Sequence, residues 1–214
     1  MSTHLIPKLI LQTSKVKPEQ YVLDQIYCFT GPEYRYIHFN DDEVIDFLKL
    51  HPISDFPLII EKFCSFENGA HKADLFRYYF IYLFGGIFID SDAIPRSPLN
   101  PIIENCDFFS VNSSFVPESI FQGFIGAKPN HPILYTALKN LYDVNIEHLR
   151  ADYHFFCRDL YKIIHNSQDK THIKLLEENV YTTNASKVIN EKNQTVLLHF
   201  WKDKKIPKKY YLYL

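Results

Sequence analysis

The chain has 214 residues, a length that suits one domain with a substantial core. Hydrophobic residues make up 46% and charged residues 22%, which excludes an intrinsically disordered chain, and the formal net charge of −2 gives no reason to expect nucleic acid as a partner. There is no window of about 18 apolar residues, which argues against a membrane-spanning helix.

The first half of the chain alternates short apolar runs with segments of helical pattern. The strands expected here are 8–12, 34–39 and 87–90. The helices expected here are 18–26, 43–50, 57–63 and 70–84. Asn40-Asp41 offers a cap for the second helix, and Gly85-Gly86 ends the fourth, which is the clearest of the set.

The second half continues the alternation. The strands expected here are 107–112, 121–127 and 196–200, and the helices are 132–142 and 147–164. Strands that alternate with helices predict an α/β domain, with a mainly parallel sheet flanked by helices, over residues 1–214. The last residues, about 202–214, form a basic and aromatic tail that we interpret as solvated, with contact to an anionic membrane surface as the alternative.

The helix at 70–84 carries a polar stripe although most of its surface is apolar. His71, Asp74 and Arg77 are three residues apart, so they share one face. Buried charges need partners. The stripe therefore predicts either an internal Asp74–Arg77 ion pair or a surface that binds a ligand rich in hydroxyl groups, and the helix alone does not choose between them.

Two carboxylates follow the next strand, at Asp90 and Asp92. In an extended chain they would leave the same side of the strand, about 6 Å apart, and repel by roughly 3 kcal/mol at an effective dielectric constant near 20. A strand end after a buried helix is where α/β sheets hold ligands. The pair therefore predicts a site for Mg²⁺ or Mn²⁺, the cations that prefer oxygen ligands. A phosphatase of the haloacid-dehalogenase type, with Asp90 as nucleophile, is the less favoured alternative.

The combination within residues 70–92 is more specific than the two aspartates alone. It consists of Ala73-Asp74, Arg77-Tyr78, Gly85-Gly86 and Asp90-Ser91-Asp92. This combination resembles glycosyltransferase family 32, which includes the yeast initiating α-1,6-mannosyltransferase type and is similar to the clostridial glucosylating toxins. Weaker matches occur at 6–13, at 120–132 and at His199-Phe200-Trp201, while Leu11 and Ser14 replace the His and Trp that the family commonly has near its start.

The resemblance implies a GT-A fold, a UDP- or GDP-sugar donor, a divalent metal and retention of anomeric configuration. It assigns catalytic roles to Asp90, Asp92 and Arg77, and metal binding to Asp92, Asp90 and His199. The donor-binding residues it implies are Asp74, Arg77, Asp90, Gln12, Thr13, Gln122, Trp201 and Lys205. A plain buried histidine and a core tryptophan remain the structural alternatives for His199 and Trp201.

We therefore expect a retaining, metal-dependent glycosyltransferase that moves a hexose to a glycan, lipid or protein acceptor. A catalytically inactive module that binds nucleotide sugars or glycans is the competing hypothesis. The four cysteines, Cys28, Cys64, Cys106 and Cys157, lack metal-ligand or redox spacing. Together with an N-terminus that lacks a signal-peptide pattern, they predict a soluble, cytoplasmic protein with free thiols.

Overall fold

The structure is a computed structural model that describes residues 5–201. The helices are α1 (Gln20–Thr30), α2 (Asp41–Leu50), α3 (Ile59–Ser65), α4 (Gly69–Phe84), α5 (Asn100–Ile103), α6 (Pro132–Asp143), α7 (Ile146–Ala151) and α8 (Phe155–Asn166). The strands are β1 (Leu9–Thr13), β2 (Arg35–Phe39), β3 (Gly86–Ile89), β4 (Ala93–Pro95), β5 (Phe108–Asn112), β6 (Ile120–Ala127), β7 (Ile173–Thr182), β8 (Ala185–Ile189) and β9 (Thr195–His199). The α/β class is therefore confirmed.

Across residues 5–201 the strands form one nine-stranded sheet in the order β2-β1-β3-β6-β5-β7-β8-β9-β4. Only β1–β2, β1–β3 and β5–β7 pair in parallel, and the other five pairings are antiparallel. The expectation of a mainly parallel sheet was wrong. Three of the antiparallel pairings, β5–β6, β7–β8 and β8–β9, join strands that follow one another through short connections, which allow only antiparallel pairing. The other two, β3–β6 and β4–β9, join strands that are distant in the chain.

The sheet separates two hydrophobic cores. Side chains alternate along a strand, so Phe88 of β3 packs into one core while Ile87 and Ile89 pack into the other. The first core lies against α2, α3, α4, α6 and α8, and the second lies against α1 and α5. Helix α4 is buried over most of its length, as its apolar sequence predicted.

Two parts of the prediction differ from the structure. The single helix expected at 147–164 is two helices, because Asp152 is extended and its carboxylate accepts a hydrogen bond from the backbone N–H of His154. Arg158 also pairs with that carboxylate. The sequence interpretation missed β4, α5 and the β7–β8 hairpin. In the hairpin, polar residues interrupt the alternation of apolar residues that marks a strand.

The end of α4 is set by its two glycines, as predicted. Gly85 and Gly86 have φ values of 68° and 111°, a region that side chains with a Cβ rarely adopt. A Cβ on Gly86 would also meet the backbone oxygen of Leu9 on the neighbouring strand. The pair thus reverses the chain and lets β3 start directly beside β1. No helix within residues 5–201 has the length and apolar character needed to span a bilayer, and the four cysteines are free thiols.

We predict that Gly86→Ala lowers the free energy of unfolding by roughly 2–4 kcal/mol, because it adds backbone strain to a steric clash with β1. Urea unfolding followed by circular dichroism measures the change. Gly69→Ala is the matched control, since a Cβ at that helical position has nothing within 4 Å, and its stability should stay the same or rise slightly. Equal effects of the two substitutions would contradict the prediction.

Candidate active site

The two aspartates of the Asp90-Ser91-Asp92 motif lie in a tight turn. The backbone N–H of Asp90 donates to the carbonyl of Gly123 at 2.8 Å, and the N–H of Ala93 donates back to the carbonyl of Asp90 at 3.0 Å. The segment does not stay extended, because the motif leaves β3 and turns at once into β4. The turn still brings both carboxylates to one place.

The sheet register brings His199 to the same turn. Ala93 on β4 is paired with His199 on β9, and the N–H of Phe200 donates to the carbonyl of Asp92 at 2.9 Å. As a result, the Nε2 atom of His199 lies 3.5 Å from Oδ1 of Asp92. Ligand atoms of Asp90, Asp92 and His199 all lie within 4.8 Å of one another.

This group of three has the geometry to hold one divalent cation. In octahedral coordination at about 2.1 Å, neighbouring ligand atoms lie about 3.0 Å apart and opposite ones about 4.2 Å apart, so the three side chains would close around the ion when it binds. Carboxylates suit Mg²⁺ and Mn²⁺, and the imidazole favours Mn²⁺ of the two. The residues predicted as metal ligands are therefore brought together.

The electrostatics around His199 favour a positive charge at this point. Burial would lower the pKa of His199, but the carboxylates of Glu178, Asp92 and Asp90 outweigh burial and raise that pKa above its ordinary value. The ring also stacks on Phe121, with centroids 4.5 Å apart. A proton or a metal ion can supply the cation that these carboxylates attract, and acid therefore competes with metal.

Arg77 connects the polar stripe of α4 to the Asp90 turn. Its Nη2 atom lies 3.4 Å from carboxylate oxygens of both Asp74 and Asp90, and Nη1 donates to the carbonyl of Gln122 at 2.5 Å. The guanidinium also lies over the Phe88 ring, 4.1 Å from its centroid. The internal ion pair predicted for the stripe is confirmed, and because the same residues line a cleft, binding of a ligand rich in hydroxyl groups stays a prediction.

The carboxyl group of Asp74 is held in an unfavourable environment. Burial raises the pKa of Asp74 to about 6, against the lowering effect of Arg77 and His71. Its side chain is only 12% exposed. Asp74 therefore changes charge in a pH range in which an ordinary aspartate stays ionised.

Gln12 and Thr13, both predicted donor contacts, have different environments. Gln12 is fully buried, where its amide N–H donates to the carbonyl of Asp90 at 3.0 Å and its amide oxygen accepts from the Tyr36 hydroxyl at 2.9 Å. Gln12 therefore positions the turn instead of facing the cleft. Thr13 does line the cleft, and its buried hydroxyl has no hydrogen-bond partner.

Gln122 has an unusual side chain for a buried residue. It is only 4% exposed and lines the cleft, yet neither its amide nitrogen nor its amide oxygen has a hydrogen-bond partner. A buried amide without partners costs free energy. The next residue is Gly123, where a Cβ would clash with the Asp90 carboxylate and the Phe121 ring, so this position leaves room for Asp90.

Thr13, Gln122, the Asp74–Arg77 pair and the three proposed metal ligands line one cleft of about 710 Å³, whereas Gln12 does not. Trp201 lines it, is 39% exposed and meets Phe115 edge to face with ring centroids 6.0 Å apart, so it is not a core residue. Tyr153 lines the cleft as well. Lys205 and the basic tail at 202–214 lie outside the described residues, so the predictions for them stay predictions.

The sequence interpretation missed Glu178 and Ser186, which lie behind His199. Both are buried, and the Ser186 hydroxyl donates to Oε1 of Glu178 at 2.7 Å. They belong to the β7–β8 hairpin, which was not predicted. The available signal was Thr183-Asn184, a turn-forming pair between two runs with β-branched residues.

Comparison with known families and proteins agrees with this geometry. Residues 25–109, which include the Asp90-Ser91-Asp92 motif, match the family described as the glycosyltransferase sugar-binding region containing a DXD motif. Mannosyl phosphorylinositol ceramide synthase CSH1 of Saccharomyces cerevisiae is 32% identical over 140 residues, which are 64% of this chain and 35% of that protein. Inositol phosphoceramide mannosyltransferase 3 of Schizosaccharomyces pombe is 30% identical over 139 residues, 64% of this chain and 37% of that protein.

The present chain thus spans about a third of the length of these relatives. Among solved structures, the PaToxG glycosyltransferase superposes with a TM-score of 0.53 over 75% of this chain and 69% of that one, at 12% sequence identity. At that identity the likeness shows the fold alone. The expected GT-A type of α/β fold is therefore confirmed, and the family match favours a glycosyltransferase over the phosphatase alternative.

We predict that Asp74 makes protein stability fall as pH rises between about 4 and 6. The folded state holds a proton on Asp74 up to pH about 6, whereas the unfolded chain releases it near 4, so stability present below pH 4 is lost through that window. Urea unfolding in metal-free buffer should show a loss of up to about 3 kcal/mol relative to Asp74→Asn. Parallel pH curves for the two proteins would contradict the prediction.

Proposed function

We propose, from the match of residues 25–109 to a glycosyltransferase sugar-binding region containing a DXD motif, that the chain is a retaining, metal-dependent glycosyltransferase. It moves a hexose from a UDP- or GDP-sugar to a glycan, lipid or protein acceptor. The observation that carries the proposal is the convergence of Asp90, Asp92 and His199 beside a cleft lined by polar groups without partners.

The names of the relatives narrow the proposed substrates. The Saccharomyces cerevisiae relative is named as a mannosyl phosphorylinositol ceramide synthase, and the Schizosaccharomyces pombe relative as an inositol phosphoceramide mannosyltransferase. We therefore propose mannose as the hexose and an inositol-phosphate lipid as the first acceptor to test. Since this chain spans only about a third of those proteins, the acceptor is part of the proposal.

In the proposed site Asp92, Asp90 and His199 hold Mn²⁺ or Mg²⁺. The ion, when bound, supplies the Lewis acid that offsets negative charge on the departing nucleoside diphosphate, an effect of several kcal/mol. The protein contributes the two carboxylates on a short turn fixed by Gly123 and β4, which limits their movement. The indole N–H of Trp201, beside the same turn, is a donor for a diphosphate oxygen.

The donor sugar is proposed to lie over Gln122 and Thr13, next to the Asp74–Arg77 pair. The hydroxyl of Thr13 and the amide of Gln122 lack protein partners although they are buried, and sugar hydroxyls can both donate to and accept from such groups. Arg77 is held by Asp74, Asp90 and the Gln122 carbonyl, so it presents its charge without a change of conformation. Preorganised dipoles and charges of this kind stabilise charge that develops in the transition state.

Retention requires a carboxylate nucleophile or attack from the face of the leaving group. Besides the proposed metal ligands, Asp74 and Glu178 are the carboxylates among the described residues that line the cleft, and each is occupied, Asp74 by Arg77 and Glu178 by two serines. We therefore favour front-face attack, with the departing phosphate accepting the proton of the acceptor hydroxyl.

We predict that the protein releases nucleotide from one UDP- or GDP-sugar of a panel, and that the release depends on Mn²⁺ or Mg²⁺. Asp92→Asn should lower kcat/KM at least about 100-fold, because it removes one charge from the metal site. Nucleotide release with and without chelator measures both effects. Asp42→Asn, an exposed change on α2, is the matched control and should keep full activity.

Three results would separate the hypotheses. The metal role would be ruled out if turnover persisted in the presence of chelator, or if Asp92→Asn left turnover unchanged. Saturable binding of a nucleotide sugar without any turnover would favour the inactive binding module. Product with inverted configuration at the anomeric carbon, seen by proton NMR, would contradict the retaining mechanism.

We predict opposite effects of Gln122→Met on stability and on activity. Removing a buried amide that has no partner should raise the free energy of unfolding by about 1 kcal/mol, since methionine has a similar volume. The same change should lower kcat/KM at least about tenfold, because the amide no longer meets the sugar. Chemical unfolding and the nucleotide-release assay measure the two quantities. A loss of stability, or full activity, would count against the proposed role.

A further inference from the structure

Glu178 on β7 is a buried carboxylate behind the proposed metal site. Only 3% of it is exposed, and its two oxygens accept hydrogen bonds from Ser113, just after β5, at 2.9 Å and from Ser186 on β8 at 2.7 Å. A buried charge is costly unless it has partners or a cation nearby. The two neutral hydroxyl groups meet its hydrogen-bonding needs but not its charge, so a positive group is expected close by.

His199 directs one ring nitrogen toward Glu178 and the other toward Asp92. Its Nδ1 atom faces the Ser186 hydroxyl at 3.5 Å and Oε1 of Glu178 at 3.9 Å. Its Nε2 atom faces Oδ1 of Asp92 at 3.5 Å, on the side of the cleft. The imidazole therefore stands between the buried carboxylate and the proposed metal ligands.

When the imidazole is neutral, the hydrogen-bond directions favour the proton on Nδ1. The Ser186 hydroxyl donates to Glu178, so its oxygen is left to accept from His199 Nδ1–H. A neutral imidazole with its proton on Nδ1 has its lone pair on Nε2, directed toward Asp92. That lone pair can bind a cation, whereas without one it would face a carboxylate.

We propose that Glu178, acting through Ser186, is a positioning residue that holds the Nδ1 proton of His199 and so directs Nε2 to the metal. The inference rests on the metal site of the proposed function. A carboxylate or a carbonyl behind a histidine ligand commonly fixes its orientation, and removing such a partner weakens metal binding about 10- to 100-fold.

A purely structural role is the competing explanation. Through its two serines, Glu178 links β7 to β8 and to the segment that follows β5, and loss of these links would lower stability. A structural role predicts a lower Tm with unchanged metal affinity of the folded protein. Metal affinity in the absence of sugar donor therefore separates the two explanations.

The experiment is Mn²⁺ titration of the unmodified protein and of Glu178→Gln, with free Mn²⁺ measured by electron paramagnetic resonance. We expect a Kd about 10- to 100-fold higher for Glu178→Gln. Glu177→Gln is the matched control, because the neighbouring residue is exposed and its carboxylate accepts from Asn112 away from the cleft. It removes the same charge and should leave the Kd unchanged.

The Mn²⁺ titration distinguishes failure of the inference from failure of the metal site. If the unmodified protein binds Mn²⁺ and Glu178→Gln binds it equally well, the inference is overturned while the metal site stands. If the unmodified protein does not bind Mn²⁺, the metal site itself fails and takes the inference with it. If Glu178→Gln does not fold, as judged by circular dichroism, Ser186→Ala replaces it, and an unchanged Kd in that variant overturns the inference.

Discussion

One guanidinium group, that of Arg77, connects the parts of the candidate site. It lies among the Asp74 carboxylate on its own helix, the Asp90 carboxylate after β3 and a carbonyl of β6, with its face on the Phe88 ring. Because a buried charge cannot be left without partners, these contacts fix how α4 and β6 sit around the turn. The guanidinium that forms the internal ion pair of α4 is thus the same group that lines the cleft.

The second constraint is the register of β4 against β9. It places His199 opposite Ala93, next to Asp92, although more than a hundred residues separate them in the chain. Within the group of three, the turn supplies two carboxylates and the strand supplies the imidazole. The pairing of backbone groups keeps their spacing constant.

How far the sequence predicts this structure depends on the kind of pattern each element carries. Helix α4 and strand β3 were predictable because an apolar pattern and the Gly85-Gly86 break agree with each other. The convergence of Asp90 and Asp92 was expected from an extended strand but arises from a turn, since backbone hydrogen bonds to Gly123 are invisible in sequence. The β7–β8 hairpin was missed because its inward polar residues, Glu178 among them, interrupt the apolar alternation that marks a strand.

The position of β4 has a further consequence. Only three residues separate it from β3, yet β4 is an edge strand of the sheet, where β9 is its strand partner among the described residues. A ligand bound between the turn and His199 would therefore link β9 to the Asp90-Ser91-Asp92 turn in the middle of the chain. Opening of that strand would then become harder by about 2.7 kcal/mol at a ligand concentration 100 times its dissociation constant. Metal binding at this point would therefore make the pairing of β4 with β9 more stable.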